Sequence, residues 1–203
     1  MARPTRGALL LAALLLTGCG GATTPAPSAA PATPALATTA TTAQAAEVNP
    51  AGDIPDDQVF VAYTAPGGRF TVKVPEGWGR TTSGGAVTFT DKLNSITLGS
   101  VPAATAPTVA SVRAQELPAV VRSARNYEPG QVSLVRRTAG GAVLATYRAD
   151  SAPDLVTGKV VRDAVERYEF WQGGTAALLT LSGPVGADNV DPWRIVTDSL
   201  RWR

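Results

Sequence analysis

Val160-Val161-Arg162-Asp163-Ala164-Val165-Glu166-Arg167-Tyr168-Glu169-Phe170-Trp171-Gln172-Gly173-Gly174-Thr175-Ala176-Ala177-Leu178-Leu179-Thr180-Leu181 reads as one long β-hairpin. Two β-rich runs flank a glycine pair, and glycine reaches the positive φ that tight hairpin turns require. The first half of the leading strand is charged on both faces, at Arg162, Asp163, Glu166 and Arg167, which predicts that this end projects beyond the core into solvent. Immediately upstream, Val132 to Thr138 and Ala142 to Asp150 flank Ala139-Gly140-Gly141 in the same manner. Four antiparallel strands follow from two turns.

Further upstream, Val59 to Thr64 and Phe70 to Val74 are joined by Pro66-Gly67-Gly68, and the second run alternates, with Phe70, Val72 and Val74 on one face. Pro75-Glu76-Gly77 turns the chain, and Val87 with Phe89, then Ile96 with Leu98, add two short strands to a meander. Thr108 is placed to N-cap a helix that runs to about Arg125 and carries Val109, Val112, Leu117, Val120 and Val121 near one stripe. Pro118 interrupts it, which predicts a kink or two short helices with the proline opening the second. Asp191-Pro192 reads as an N-cap with proline at N1 for a last helix, whose Trp193, Val196 and Leu200 share one side and cover the sheet. Strands, a helix, strands and a last helix make an α+β order with a central antiparallel sheet covered by helices, and the runs of hairpins exclude a parallel βαβ sheet. One folded domain is expected over 53–203.

The N-terminal quarter has another character. Arg3 and Arg6 precede an apolar run from Ala8 to Leu16, too short to span a bilayer, and Leu16-Thr17-Gly18-Cys19 follows with small residues before the sole cysteine. This is the pattern of a lipoprotein signal peptide over 1–18, cleaved between Gly18 and Cys19, with Cys19 lipidated and the mature chain anchored on the extracytoplasmic face of the cell membrane. Over 19–52 an Ala/Thr/Pro-rich tether offers no aromatic residue and no charge before Glu47, so it cannot build a core. Without Arg3 and Arg6 the remaining basic residues balance the 16 acidic ones. A neutral mature chain lacks the cationic excess that nucleic-acid binding needs.

The composition also removes much chemistry. There is no histidine, and Cys19 is taken by the anchor, so His-based acid/base catalysis, cysteine nucleophiles and the usual zinc sites are gone. The carboxylates Asp163 and Glu166 lie close together on one strand but with opposite-face parity, which favours a charge ladder over a catalytic pair. Asp188-Asn189-Val190-Asp191 lacks the alternating donors of a calcium loop and reads more simply as helix capping. Trp78, Trp171, Trp193 and Trp202 read as core fillers rather than stacking platforms, and Arg122, Arg125, Arg136 and Arg137 as surface charges that an anionic headgroup would also fit. No catalytic residue, metal site or cofactor is expected.

The order of these elements resembles a known family. Phe70-Thr71-Val72-Lys73-Val74-Pro75-Glu76-Gly77-Trp78, the mid-chain helix, the two long hairpins and the closing Asp191-Pro192-Trp193-Arg194-Ile195-Val196 to Leu200-Arg201-Trp202 look like the PsbP-like superfamily, and within it the LpqN-type lipoproteins of actinobacteria. The resemblance implies an α/β/α sandwich used mainly as a binding scaffold. The expected function is that of a non-catalytic, lipid-anchored binding or accessory protein of the cell envelope, with an envelope protein or lipid as partner. Two alternatives stand beside it. A carrier of a lipid or amphipathic ligand would need an apolar cavity between helix and sheet, and a carboxylate-based wall hydrolase would need two carboxyls facing one groove.

Overall fold

The structure, a computed structural model, describes residues 51–203 apart from Leu155. The signal peptide, the Gly18–Cys19 junction, the lipidation site Cys19 and the tether as far as Pro50 lie outside the described residues. The Gly173-Gly174 turn takes φ of +56° and +80°, and it closes a hairpin between Arg162–Gln172 and Thr175–Pro184. That hairpin lies inside a seven-stranded antiparallel sheet. With strands numbered in chain order, its order is β3 (Gly79–Ser83), β4 (Ala86–Asp91), β5 (Asn94–Pro102), β9 (Thr175–Pro184), β8 (Arg162–Gln172), β7 (Gly140–Asp150) and β6 (Arg125–Arg137). A second sheet of three strands runs β1 (Phe60–Thr64), β2 (Phe70–Pro75), β10 (Arg201–Trp202). The architecture is α+β, dominated by antiparallel sheet.

Several expectations need correction. The Phe70–Val74 strand belongs to the separate small sheet rather than to one meander. The charged half of β8 does not project into solvent: β7 and β9 pair with it along its whole length, and Asp163 is only 7% exposed. Strand β6 starts at Arg125, so this arginine lies on a strand and not on the kinked helix. Its ladder with β7 absorbs Pro129 and Gly130 through two register shifts, which a proline without an N–H tolerates at a sheet edge. The final helix, α3 (Val190–Asp198), is capped at Asn189 instead of Asp191, and Pro192 sits in the third helical position. A proline there loses nothing, because the first-turn N–H groups have no intrahelical partner.

One face of the large sheet is dry. Val87, Phe89, Ile96, Leu98, Tyr168, Phe170, Leu179 and Leu181 pack with Phe70, Val72 and Val74 of the small sheet and with Trp193, Val196 and Leu200 from the last helix and its end. Trp78 and Trp202 pack at the margin of this core. Its polar members are Asn94 and Asn189, whose side-chain amides donate to the Gly52 carbonyl at 2.9 and 3.0 Å, while the Ile54 N–H donates to Asn189 Oδ1 at 2.8 Å. Asn189 is therefore a structural clasp for the start of the domain, which is why its side chain does not cap the helix it opens.

The opposite face is covered in part by a helical segment. Thr108 caps it as the sequence indicates: its Oγ1 accepts from the Ser111 N–H at 3.0 Å, and Ser111 Oγ accepts from the Thr108 N–H at 2.8 Å. One turn, α1 (Val109–Ser111), leads through a π turn at Val112–Glu116 into α2 (Leu117–Ser123). The Leu117 N–H reaches back five residues to the Val112 carbonyl. Pro118 has no N–H and its ring opposes the carbonyl of Ala114, so the widened turn relieves a clash that an α-turn would force. Val112 anchors the segment against Val143 and Ala145 of β7.

Candidate functional site

Strand register sets two rows of small hydroxyl side chains on the partly covered face. Thr81, Thr88, Thr97 and Thr180 stand opposite one another across β3, β4, β5 and β9, and the row continues into Arg167 on β8. The next row holds Thr90, Ser95 and Ser182 and ends on Val165. Because side chains alternate along a strand, these residues lie on the face opposite Phe89, Ile96, Leu181 and Phe170. Thr88 and Thr97 share a hydrogen bond of 2.9 Å between their hydroxyls.

Above the second row and the Thr180–Arg167 end of the first lies a cavity of about 810 Å³, which Thr81, Thr88 and Thr97 do not line. Its walls are the C-terminal end of α2 at Val120, Ser123 and Ala124, the β4–β5 corner at Lys92 and Leu93, and the connection between β7 and β8. Val165, Tyr147, Ala149 and Val161 give it an apolar lining, and Ser95, Thr180, Ser182 and Arg167 add polar groups. The volume is that of a small-molecule site, with an apolar lining and a few placed polar groups.

The charged groups of the floor are mostly engaged within the protein. Arg167 donates to Thr180 Oγ1 at 3.3 Å and pairs with Glu116 of the π turn at 3.6 Å. Asp163 accepts from Ser182 Oγ at 2.8 Å, while its other oxygen, Oδ1, is buried with no partner among the described residues. Burial pushes the Asp163 carboxyl above its ordinary range, with nearby Asp150 adding to the effect and the Ser182 bond opposing it. Burial likewise raises Tyr147, whose ring packs against Tyr127 at 5.3 Å between centroids. At the rim, Asp150 pairs with Arg162 at 3.2 Å and also accepts from Asn126. Asp154 Oδ1 accepts from the N–H groups of Val156 and Thr157 and from the Thr157 hydroxyl, which shapes the connecting loop.

The sequence candidates scatter. Glu166 lies on the dry-side parity of β8 and accepts from the Tyr168 hydroxyl at 2.8 Å, so Asp163 and Glu166 face opposite sides of the sheet and share no groove. Tyr168 is pushed up to about 12 by burial and then by Glu166. Arg137 bonds Tyr168 and Thr197 at 2.8 and 3.2 Å and is thus tied into the core margin, not offered to a headgroup. Trp193 is 8% exposed in the core, and Trp171 donates its indole N–H to the Ala103 carbonyl at 2.8 Å. Asp188 and Asp191 gather no metal-ligating cluster among the described residues. What sequence reasoning missed is the hydroxyl floor with Arg167, Lys92 and Lys159 around it. The signal available was the alternation of Thr88-Phe89-Thr90, Ser95-Ile96-Thr97 and Thr180-Leu181-Ser182, each with hydroxyls on one face and an apolar residue on the other.

No protein-family model matches the sequence, and no curated protein matches it. Among solved structures, cyanobacterial PsbP from Synechocystis is similar at a TM-score of 0.49 and 15% identity, over 75% of this chain and 98% of that one. The Ran-binding protein Mog1p of Saccharomyces cerevisiae is similar at a TM-score of 0.48 and 10% identity, over 71% of this chain and 96% of that one. A Bacteroides thetaiotaomicron protein is similar at 0.47 and 17% identity over 70% of this chain, which spans 48% of that protein's length. These are likenesses of fold.

Proposed function

We propose that this chain is a non-catalytic, lipid-anchored binding protein on the extracytoplasmic face of the membrane, of the PsbP-like superfamily and LpqN type, whose cavity takes a small amphipathic molecule. The observation that carries this reading is the cavity of about 810 Å³ between α2 and the large sheet, lined by apolar side chains together with hydroxyls of β5 and β9. In this reading the helical segment and α3 form the outer layers of an α/β/α sandwich. A non-catalytic role is favoured because Asp163 and Glu166 face opposite sides of β8, while the carboxylates that share the cavity, Asp150, Asp154 and Asp163, are taken up by Arg162, by the loop donors and by Ser182. The anchor at Cys19 would hold the ligand site near the bilayer, and an envelope protein remains the second partner class.

Two experiments test the halves of this reading. Nile red, a neutral apolar dye, should fluoresce on binding to the full chain, and Ala124→Trp, which places a large ring at the cavity wall, should abolish that signal without unfolding the protein. Dye binding that survives the filled wall would sink the ligand reading. For the anchor, Cys19→Ala should move the protein from the membrane to the aqueous fraction or leave an unprocessed precursor. Unchanged processing and unchanged resistance to aqueous extraction would refute it.

A further inference from the structure

The charges around the cavity are unequal in what they have left to offer. Its carboxylates are engaged within the fold: Asp150 by Arg162 and Asn126, Asp154 through the loop donors, and Asp163 by Ser182 with its free oxygen buried away from solvent. Arg167 is held by Thr180 and Glu116. The two ammonium groups are different. Lys92 and Lys159 are both exposed, both line the cavity, and neither has an ion-pair or hydrogen-bond partner for its side chain among the described residues. The chain contains three lysines in all, against 18 basic residues. Two of those three therefore stand at this one mouth, from opposite walls, the β4–β5 corner and the β7–β8 connection.

Lys92 carries a second mark. Its φ is +49°, in the left-handed region where a side chain with a Cβ is strained and where glycine or asparagine is the easier choice for a two-residue hairpin corner. Two other tight corners of the sheet use glycine for this purpose, at Gly84-Gly85 and Gly173-Gly174. A lysine retained at a strained corner beside a cavity is a cost to the fold that a charge needed by a ligand would explain.

Resting on the ligand-binding reading above, we infer that the cavity selects an anionic amphiphile, with its carboxylate or phosphate held between Lys92 and Lys159 and its apolar body along Val165, Tyr147 and Val161. The hydroxyls of Ser95 and Thr90 stand beside Lys92 to donate further hydrogen bonds to the same oxygens. Rim ammoniums in water act with modest strength, so each is worth about a 3- to 10-fold change in affinity, and added salt weakens the effect.

Displacement of Nile red from the full chain by four probes tests this: dodecanoate, dodecyl phosphate, dodecanol and inorganic phosphate. Dodecanoate or dodecyl phosphate should bind about 10-fold or more tighter than dodecanol, and inorganic phosphate should displace nothing. In Lys92→Gln/Lys159→Gln the preference over dodecanol should vanish while dodecanol itself binds as before. Lys92→Gly separates binding from folding: it should keep or raise the melting temperature by relaxing the corner, and still weaken dodecanoate about 3- to 10-fold. Equal binding of dodecanol and both anions, or an anion preference that survives the double variant, overturns the inference but leaves the ligand reading standing. Displacement by inorganic phosphate alone would also overturn it, because the apolar body would then be unused. If Nile red does not bind at all, the ligand reading itself falls.

Discussion

Along β9 the residues Ala177, Leu179 and Leu181 are fully buried, while Thr180 and Ser182, one step away on the same strand, face a cavity. The same contrast repeats on β5 between Ile96 and Leu98 on one side and Ser95 and Thr97 on the other, and on β4 between Val87 and Phe89 and their threonine neighbours. Both faces share one backbone and one hydrogen-bond ladder, so ladder bonds cannot account for any difference between them. What differs is what covers each face. The dry face meets a second sheet and α3, and its clasp of Asn94 and Asn189 is hydrogen-bonded to Gly52 and Ile54. The cavity face meets a short helical segment anchored mainly through Val112, and it leaves oxygens of Asp163 and Glu169 buried without partners among the described residues, where the dry face leaves only the Trp193 indole N–H so. One face secures stability, and the other tolerates imperfect packing in return for open space.

The largest expected effect comes from the dry side. Phe170→Ala removes a ring that is 1% exposed and leaves a void between the two sheets, at a cost of ~3–5 kcal/mol. Chemical denaturation should show a much lower midpoint. A loss below ~1 kcal/mol would mean that the dry face is no better packed than the other and would break the comparison.

A second test concerns the polar clasp of the dry face. A chain beginning at Ala51 keeps the Gly52 carbonyl and the Ile54 N–H, whereas one beginning at Pro55 removes both and leaves the Asn94 and Asn189 amides buried with fewer partners. Orphaned buried polar groups cost ~1–3 kcal/mol each, so the shorter chain should be less stable by about 2–4 kcal/mol. Equal melting temperatures would show that the clasp contributes nothing.

How far the sequence announced this contrast depends on which residues are considered. The alternating apolar residues of β2, β4 and β5 and the stripe of Trp193, Val196 and Leu200 were legible, because burial on one side imposes a strict period. Strand β3, Gly79-Arg80-Thr81-Thr82-Ser83, was not: it has no apolar residue and is exposed throughout, so only pairing with β4 makes it a strand. Strand β6 extends upstream of the expected Val132 start, through Pro129-Gly130 to Arg125, and only the bulged ladder with β7 shows that the chain stays extended there. The charges of β8 were misread for a related reason. Periodicity registers polarity, and it cannot distinguish a face open to bulk water from a face that lines a cavity. The reading of Cys19 and the tether as a targeting pattern rests on the sequence alone, because both lie outside the described residues as far as Pro50.

Glu169 sharpens the comparison from the cavity side. It is 8% exposed, its Oε2 has no partner among the described residues, and its cross-strand neighbours are Val143 and Leu178. Burial raises its pKa, Glu116 adds to that, and Arg167 opposes it. The folded chain therefore takes up this proton at a higher pH than the unfolded chain does. Above the folded pKa the buried charge is a penalty, and the penalty fades as pH falls through that value toward the ordinary glutamate range. Glu169→Leu should stabilise the protein at neutral pH by ~1–3 kcal/mol, and its advantage should shrink on acidification. A destabilised variant, or an advantage independent of pH, would mean that the carboxylate is well solvated or well paired.

The smallest effect should come from the hydroxyl floor itself, and here the order of two substitutions matters more than the size of either. Thr88 and Thr97 bond to each other at 2.9 Å on a half-buried surface. Thr97→Val keeps the shape but leaves the Thr88 hydroxyl with one partner fewer, which should cost about 0.5–1 kcal/mol because a typical hydrogen bond is worth about 1 kcal/mol net. Adding Thr88→Val removes the other half of the pair, and replacing both partners by apolar groups of the same shape is close to neutral. The double variant should therefore recover most of the loss, so that the double-mutant cycle gives a coupling of the same size as the single cost. If the two losses simply add, the hydroxyls interact with water more than with each other. In that case the row is a solvated surface rather than a self-satisfied one, and the partial burial of Thr88 and Thr97 still leaves each hydroxyl within reach of solvent.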